Sequence, residues 1–216
     1  MMNSRILCIT RDDPELDHDS QVDSLLKGGA RLIQLRSKEL SYTSFLDQAH
    51  RAAGLTKSKG AKLIINDSIL LASEINADGV HLGITDGTVA QARKLLPAGK
   101  IIGRTVHSIE EAKLVKKELP DYVGLGPYRK SITKNDLSPS LSDDDFMTIS
   151  KLLHPVPVFL IGGLTIEDFS LIHKIGVHGL ALCSSLFAGK DLAHQVSEAV
   201  AQSEFFSPAT QAANNS

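Results

Sequence analysis

The chain has 216 residues, of which 42% are hydrophobic and 22% charged, a composition typical of a single soluble globular domain. It carries 23 lysine and arginine residues against 25 aspartate and glutamate residues, so it lacks the basic excess typical of proteins that bind nucleic acids or membrane surfaces. With only two cysteines, Cys8 and Cys183, a disulfide framework is excluded. No apolar run approaches the roughly 20 residues of a membrane span. We therefore expect a cytoplasmic protein with neither a nucleic-acid nor a membrane partner.

Short apolar runs alternate with amphipathic segments along the chain. The runs are rich in Ile, Val and Leu and mostly apolar on both faces, as are parallel strands covered by helices on both sides. In chain order they span residues 5–10, 31–35, 61–65, 79–82, 100–103, 122–125, 157–161 and 179–183. Helical spacing recurs between them, for example after Ser108 and Glu111, which have the spacing of a capping box. Eight strands alternating with helices predict an α/β fold, a (β/α)₈ TIM barrel.

A doubly wound open sheet is the alternative fold, because the strand count alone does not prove closure. The sequence lacks the glycine-rich and P-loop motifs of the common nucleotide-binding open sheets, which favours the barrel. We expect one barrel domain over residues 1–203 and a flexible tail over 204–216, with Phe205 and Phe206 packing on the barrel. A long polar stretch at 127–145 predicts a functional loop after the sixth strand.

Polar and glycine residues collect after the predicted strands. Active sites of TIM barrels lie at the carboxyl ends of the strands, so this distribution favours an active site over simple solvation of the loops. From strand two to strand eight these polar and glycine residues are Gln34, Arg36, Ser37, Lys38, Asn66, Asp67, His81, Gly83, Asp86, Arg104, Thr105, His107, Gly126, Ser131, Thr133, Lys134, Gly162, Gly163, Ser184 and Ser185.

Charged candidates indicate the kind of substrate. Arg36, Lys38 and Lys134 come from two different loops, and cations that converge on a pocket suit phosphate or pyrophosphate. Asp67 and Asp86 follow adjacent strands and offer hard oxygen ligands. Mg²⁺ is typically held by one or two carboxylates together with substrate phosphates. The sequence therefore predicts a metal-assisted anion site near strands two to four.

A second, metal-free anion site is predicted near strands seven and eight. Gly162 and Gly163 precede a helix and offer bare backbone N–H groups, and Ser184 and Ser185 stand at the next helix start. Phosphate sites after strands seven and eight recur in this fold.

Simpler structural explanations exist for several candidates. Asp67 and Asp86 could each cap the following helix, which is a common role for aspartate. His107 is expected to be a hydrogen-bonded structural histidine without a role in the chemistry, and His81 also has a structural explanation. These alternatives stay open at the level of the sequence.

The ordered set of motifs resembles the thiamine phosphate synthase family over about residues 5–200. The motifs are Gln34-Leu35-Arg36-x-Lys38, Ile65-Asn66-Asp67, Gly79-Val80-His81-Leu82-Gly83 with Asp86, Gly103-x-Thr105-x-His107, Asp121-Tyr122-Val123-Gly124-x-Gly126-Pro127, Thr133-Lys134, Ile161-Gly162-Gly163 and Ser184. Each motif is weak alone, and their order makes the set specific.

The resemblance implies a Mg²⁺-dependent transferase with a (β/α)₈ barrel. The implied reaction joins 4-amino-5-hydroxymethyl-2-methylpyrimidine diphosphate to 4-methyl-5-(2-hydroxyethyl)thiazole phosphate, or its carboxylate form, giving thiamine phosphate and pyrophosphate. The pyrimidine C–O bond would break before the thiazole nitrogen attacks.

The resemblance also implies a role for each matching residue. Asp67 and Asp86 would hold Mg²⁺. The implied catalytic residues are Arg36, Lys134 and Thr105. The implied substrate-binding residues are Gln34, Arg36, Lys38, Asn66, Thr105, Ser131, Thr133, Lys134, Gly162, Gly163, Ser184 and Ser185. The partners would be these small-molecule substrates, and the sequence leaves a homo-oligomer open.

Departures from the family pattern keep other functions in view. Lys130 stands where the family usually has proline, and Ser131 where it has threonine. The stretch 103–107 resembles the thiazole tautomerase branch, but that branch lacks the paired metal aspartates. A non-catalytic barrel that binds thiamine phosphate, and another barrel enzyme acting on a phosphorylated sugar, are the remaining alternatives.

Overall fold

Eight parallel strands form a closed barrel in the computed structural model, which describes residues 4–129 and 141–206. The strands are β1 Ile6–Ile9, β2 Leu32–Leu35, β3 Lys62–Asn66, β4 Gly79–Leu82, β5 Ile101–Val106, β6 Tyr122–Leu125, β7 Val158–Ile161 and β8 Gly179–Leu182. Each strand pairs with the next in the chain, and β1 pairs with β8, with Ile6 opposite Leu180. Closure confirms the predicted TIM barrel and excludes the open sheet.

Helices alternate with the strands on the outside of the barrel. They are α1 His18–Lys27, α2 Tyr42–Ser58, α3 Ile69–Glu74, α4 Val89–Leu95, α5 Ile109–Glu118, α6 Asp143–Leu153 and α7 Leu192–Phe205. Two short irregular helices, Ile166–Ser170 and Ile172–Gly176, connect β7 to β8, and the 3₁₀ helix Ser184–Phe187 follows β8. Ser108 caps α5 as predicted, whereas the Glu111 side chain accepts from the backbone N–H of His107 rather than that of Ser108.

The strands are buried on both faces, as their continuous apolar sequences predict. Residues that point into the barrel include Leu32, Ile64, Tyr122 and Phe159, while the opposite faces pack against the helices. The rings of Tyr122 and Phe159 meet edge to face, with centroids 5.8 Å apart. The interior is therefore a packed core, and the space for a ligand lies at the ends of the strands.

Strand β5 is longer than its predicted span of 100–103. It continues to Val106, so Arg104 and Thr105 lie within the strand and not after it. Side chains alternate across a strand, and Thr105 therefore shares the barrel interior with Ile101, while Arg104 faces the helices.

The last helix ends at Phe205, just inside the segment 204–216 predicted as a tail. Phe206 stacks on Phe169 with ring centroids 6.2 Å apart, whereas the Phe205 side chain is 70% exposed. Residues 207–216, and most of the predicted polar loop, lie outside the described residues. Among the helices in the described ranges, none has the length and apolar character needed to cross a membrane.

Candidate active site

Two carboxylates come together beside Gly83, at the carboxyl ends of β3 and β4. Asp86 Oδ2 accepts a hydrogen bond of 2.9 Å from the Gly83 backbone N–H. A Cβ placed on Gly83 would lie 2.6 Å from Asp86 Oδ2 and 4.0 Å from Asp67 Oδ1. Burial raises the pKa of Asp86, and the hydrogen bond and charge of Asp67 raise it further. The structure thus brings together the two predicted metal ligands, which repel each other unless a cation or a proton intervenes.

Neither aspartate serves as a helix cap. Ser68 Oγ accepts from the Leu71 N–H at the start of α3. Thr88 Oγ1 accepts from the Gln91 N–H at the start of α4. The structural explanation for Asp67 and Asp86 is therefore wrong, because neighbouring hydroxyls do the capping.

Asp67 has an unusual backbone conformation. Its φ of +66° lies in the left-handed region, which Asp tolerates better than most residues. The Asp67 N–H donates to the carbonyl of His81 at 2.7 Å, so the strained residue is tied to β4. Lys38 Nζ forms an ion pair with Asp67 Oδ2. A cation from the β2 loop and a carboxylate from the β3 loop are thereby brought into direct contact.

Two of the three cations predicted to bind phosphate, Arg36 and Lys38, lie in the described residues, and both follow β2 as predicted. The backbone N–H of Arg36 donates to Thr10 Oγ1 at 3.0 Å, and that of Lys38 donates to Asp12 Oδ2 at 2.7 Å. Both acceptors come from the segment after β1. The loop that carries the predicted diphosphate ligands is therefore held by its neighbour on the rim.

A buried chain of polar groups crosses the top of the barrel interior. His81 Nδ1 lies 3.0 Å from the Tyr122 hydroxyl, and His81 Nε2 lies 2.9 Å from Thr105 Oγ1. The Gln34 side chain hydrogen-bonds the Tyr122 hydroxyl in turn. Asn66 ends β3 directly opposite His81 in the sheet register. Three predicted site residues and His81 thus share one region, and Tyr122 joins them although its position in an apolar run did not single it out.

Burial lowers the pKa of His81 to about 4, so its ring is neutral at pH 7. Glycines provide the room for this chain. A Cβ on Gly103 would lie 2.3 Å from Tyr122 Cζ and 2.6 Å from His81 Nδ1. The glycine of β5 is the sequence signal that could have indicated the packed rings beneath the site.

The side chain of Arg104 lies outside the barrel interior and holds the loop that carries Asp86. Its Nη1 donates to the carbonyls of Gly83 at 2.7 Å and Gly87 at 2.8 Å, and the residue is only 6% exposed. Arg104 Nε lies 3.4 Å from a carboxylate oxygen of Glu118, which also accepts from the backbone at the start of α4. The sequence places Arg104 among the polar residues after the predicted strand 100–103, and that position gave no indication of this role.

His107 is hydrogen-bonded within the fold, as expected. Its Nδ1 hydrogen-bonds the carbonyl oxygen of Gly126, and its backbone N–H donates to Glu111 Oε2 at 2.6 Å. The first contact joins the ends of β5 and β6 and occupies Nδ1, and the second joins the end of β5 to α5.

The opposite part of the rim is formed by backbone. Gly162 and Gly163 have φ values of +106° and +61°. A Cβ on Gly162 would lie 2.6 Å from Pro127 Cβ, and one on Gly163 would lie 2.8 Å from Arg129 Cβ. Arg129 also donates to the Gly163 carbonyl at 2.7 Å. Only glycine fits both the conformation and the close approach.

The remaining predicted residues have mixed positions. Ser184 is exposed at the start of its 3₁₀ helix, and the Ser185 hydroxyl is buried without a hydrogen-bond partner within the described ranges. The predicted residues Ser131, Thr133 and Lys134, with Lys130, lie outside the described residues. Within the described part of the chain, no group of three or more His, Cys, Asp or Glu side chains could hold a metal.

Comparisons with known proteins agree on one family. A family model described as thiamine monophosphate synthase matches residues 6–186. The thiamine-phosphate synthase of Phocaeicola vulgatus is 39% identical over 170 residues, covering 77% of this chain and 82% of that protein. The thiamine-phosphate synthase of Flavobacterium johnsoniae is 35% identical over 185 residues, covering 84% and 87%. The structure of thiamine phosphate pyrophosphorylase from Pyrococcus furiosus superimposes with a TM-score of 0.81 at 27% identity, covering 94% and 96%.

Proposed function

The chain belongs to the thiamine monophosphate synthase family, whose members are transferases, and we propose that it joins a pyrimidine diphosphate to a thiazole phosphate. The substrates would be 4-amino-5-hydroxymethyl-2-methylpyrimidine diphosphate and 4-methyl-5-(2-hydroxyethyl)thiazole phosphate or its carboxylate form. The products would be thiamine phosphate and pyrophosphate. The observation that carries this proposal is the pair of carboxylates beside Gly83, with Lys38 in contact with one of them.

The carboxylate pair fits Mg²⁺. Two hard oxygen donors are too few to enclose the ion, and Mg²⁺ usually completes its shell with water and substrate phosphate oxygens. Burial and the neighbouring Asp67 raise the pKa of Asp86 in spite of the charge of Lys38, so a divalent cation would stabilise the ionised pair. Asp67 and Asp86 would hold Mg²⁺, and the bound ion would add positive charge to the diphosphate leaving group.

The cations would bind and neutralise the diphosphate. Arg36 offers a planar set of donors that matches phosphate oxygens, and Lys38 is a compact charge already placed at Asp67. When the pyrimidine C–O bond breaks, its electron pair goes to the diphosphate oxygen. The 4-amino group of the pyrimidine stabilises the methylene cation that remains, and the lone pair of the thiazole nitrogen then forms the new C–N bond. Lys134 would contribute a further charge to the diphosphate.

The buried polar chain would orient the pyrimidine. The amide of Gln34 donates to the Tyr122 oxygen, so the Tyr122 O–H faces His81 Nδ1 and His81 Nε2–H faces Thr105. The Thr105 hydroxyl proton is then left for a further acceptor, such as a substrate oxygen. Neutral His81, hydrogen-bonded at both nitrogens, would position Thr105 and not act as a base.

The second anion site would receive the thiazole phosphate. Gly162 and Gly163 place backbone at the end of β7 where no side chain intervenes, and Ser184 and Ser185 begin the helix after β8. Ser131 and Thr133 are proposed to add hydroxyl donors to the same phosphate. Among the alternatives, the thiazole tautomerase branch lacks paired metal aspartates, and the proximity of Asp67 and Asp86 beside Gly83 therefore supports the synthase.

The decisive experiment is an assay of the purified protein with both substrates and Mg²⁺. We expect thiamine phosphate and pyrophosphate to form in equal amounts, and we expect neither to form when the metal is chelated. Folded protein that forms neither product would contradict the proposal. Isomerisation of the thiazole carboxylate phosphate by that protein would identify a tautomerase, and tight binding of thiamine phosphate without turnover would identify a binding protein.

A further inference from the structure

The segment after β1 holds three consecutive residues of the loop after β2, here named the cation loop, Arg36–Lys38. The Arg36 N–H donates to Thr10 Oγ1, and the Lys38 N–H donates to Asp12 Oδ2. The Ser37 hydroxyl between them donates to Asp12 Oδ1. Two side chains from a neighbouring strand end therefore set the path of the loop that carries the proposed diphosphate ligands.

His18 connects those two side chains. Its Nδ1 lies 2.8 Å from Thr10 Oγ1, and its Nε2 lies 3.3 Å from Asp12 Oδ1. The residue is 2% exposed, and its ring packs edge-on against Phe45. Its backbone N–H donates to Gln48 Oε1 on α2 at 2.8 Å. The residue is thus fixed by contacts of its backbone N–H, its ring and both ring nitrogens.

The charges of this cluster allow one arrangement of protons. Burial lowers the pKa of His18, so the ring is neutral and carries a single N–H. Burial pushes the pKa of Asp12 upward, but hydrogen bonds from Ser37, Lys38 and His18 outweigh it, so Asp12 is ionised and only accepts. His18 must therefore carry its proton on Nε2 and accept at Nδ1.

The resulting hydrogen bonds run in one direction without conflict. The Arg36 N–H donates to Thr10 Oγ1, the Thr10 O–H donates to His18 Nδ1, and His18 Nε2–H donates to Asp12. Asp12 also receives the donors of the next two residues of the cation loop. Each end of the cation loop is tied to one of the two side chains that His18 bridges, the Arg36 end to Thr10 and the Lys38 end to Asp12.

We propose that His18, in its neutral Nε2–H form, is a positioning residue that fixes the cation loop for the diphosphate end of the substrate. This inference rests on the proposed function. A loop ordered before binding loses less entropy when the ligand arrives, so the fixed loop favours affinity for the diphosphate. The affinity for the thiazole phosphate, which would bind at the ends of β7 and β8, does not depend on the order of this loop.

The test compares His18→Phe with Thr10→Val. The first keeps a planar ring and removes both nitrogens, and the second keeps the side-chain shape and removes the hydroxyl between Arg36 and His18. His194→Phe is the matched control, because His194 lies exposed on α7. Binding of inorganic pyrophosphate with Mg²⁺ is measured by calorimetry, together with KM for each substrate and the melting temperature.

We expect both variants to weaken pyrophosphate binding by about tenfold and to raise KM for the pyrimidine diphosphate equally. KM for the thiazole phosphate should stay unchanged in both variants. The control variant His194→Phe should keep the parental pyrophosphate affinity and both KM values. A folded variant that binds pyrophosphate as tightly as the parent would overturn the inference, as would equal losses for both substrates. A parent protein that does not bind pyrophosphate at all would instead refute the proposed diphosphate site, and the inference with it.

A spectroscopic measurement on the parent protein covers the case in which the variants do not fold. The ¹⁵N chemical shifts of a histidine ring distinguish its two neutral tautomers from the imidazolium. We expect the His18 ring to show the Nε2–H tautomer at pH 7. An Nδ1–H tautomer or a charged ring would contradict the arrangement.

Discussion

The ends of β2–β5 and the ends of β6–β8 form the rim in two different ways. On the first side, charged side chains face the site, and residues from neighbouring elements hold each loop in place, as Asp12 and Arg104 do. On the second side, glycines with positive φ let the backbone approach Pro127 and Arg129 closely. The first side, here named the side-chain half, therefore depends on side chains that lie outside the site. The second side, here named the backbone half, depends on the absence of a Cβ.

Removing a carboxylate should have the largest effect, and it tests the side-chain half. Asp67→Asn keeps the size of the residue and removes its charge, so we expect Mg²⁺-dependent kcat to fall by about 1,000-fold. The pKa of Asp86 should fall, because its like-charged neighbour is gone. Steady-state kinetics measure the first effect and NMR titration of the carboxyl group the second.

The control for this prediction is Asp23→Asn, which removes an exposed carboxylate paired with Lys27 on α1. Turnover by Asp67→Asn at the parental rate would refute the proposed metal site.

Lowering the pH should reduce the free energy of unfolding through His81, which lies on the side-chain half. The pKa of His81 is 6.5 in the unfolded chain and about 4 in the folded protein, so folding favours the neutral ring. This stability is fully present above pH 6.5 and is lost as the pH falls towards 4, by about 3 kcal/mol in the free energy of unfolding. Asp86, whose pKa is raised, acts with the opposite sign.

His81→Gln isolates the histidine contribution. The difference in unfolding free energy between the parent and this variant, measured by denaturant titration, should shrink between pH 7 and pH 4. The exposed His194→Gln should show no such trend. A difference independent of pH would show that the ring is not held neutral.

A methyl group at Gly163 should damage the backbone half selectively. Gly163→Ala combines a φ of +61° with a Cβ 2.8 Å from Arg129 Cβ, so the free energy of unfolding should fall by about 2 kcal/mol. We expect KM for the thiazole phosphate to rise about tenfold while KM for the pyrimidine diphosphate is unchanged.

Gly176→Ala is the matched control, because Gly176 has a φ of +76° but open space where the Cβ would lie. It should lose stability through strain alone and keep both KM values. An equal rise in both KM values for Gly163→Ala would contradict the division of the rim.

The smallest effect is expected at Arg104, whose side chain faces the helices outside the barrel interior. Arg104→Met keeps the aliphatic stem and removes the donors to Gly83 and Gly87. The loop bearing Asp86 then becomes less ordered, and the Mg²⁺ concentration for half-maximal activity should rise roughly fivefold. Arg93→Met, which breaks a half-exposed pair with Asp121, is the control and should leave this concentration unchanged.

Much of the candidate site could be predicted because the barrel converts sequence position into spatial position. Each residue that directly follows a strand, such as Arg36 or Asp67, reaches the same rim whatever the details of packing. The roles of His18 and Arg104 could not be found this way. Their hydrogen-bond partners lie 6 to 30 residues away along the chain, and nothing local to either residue specifies them.

The sequence by itself determined the alternation of strands and helices, and with it the parallel sheet and the edge at which polar residues collect. Apolar periodicity and local capping act over a few residues, so they can be read along the chain. Only the tertiary structure decided that the sheet closes, that Ser68 and Thr88 cap the helices, and that Asp67 and Asp86 meet beside Gly83. These outcomes depend on contacts between residues that are distant in sequence, which are formed only when the chain packs.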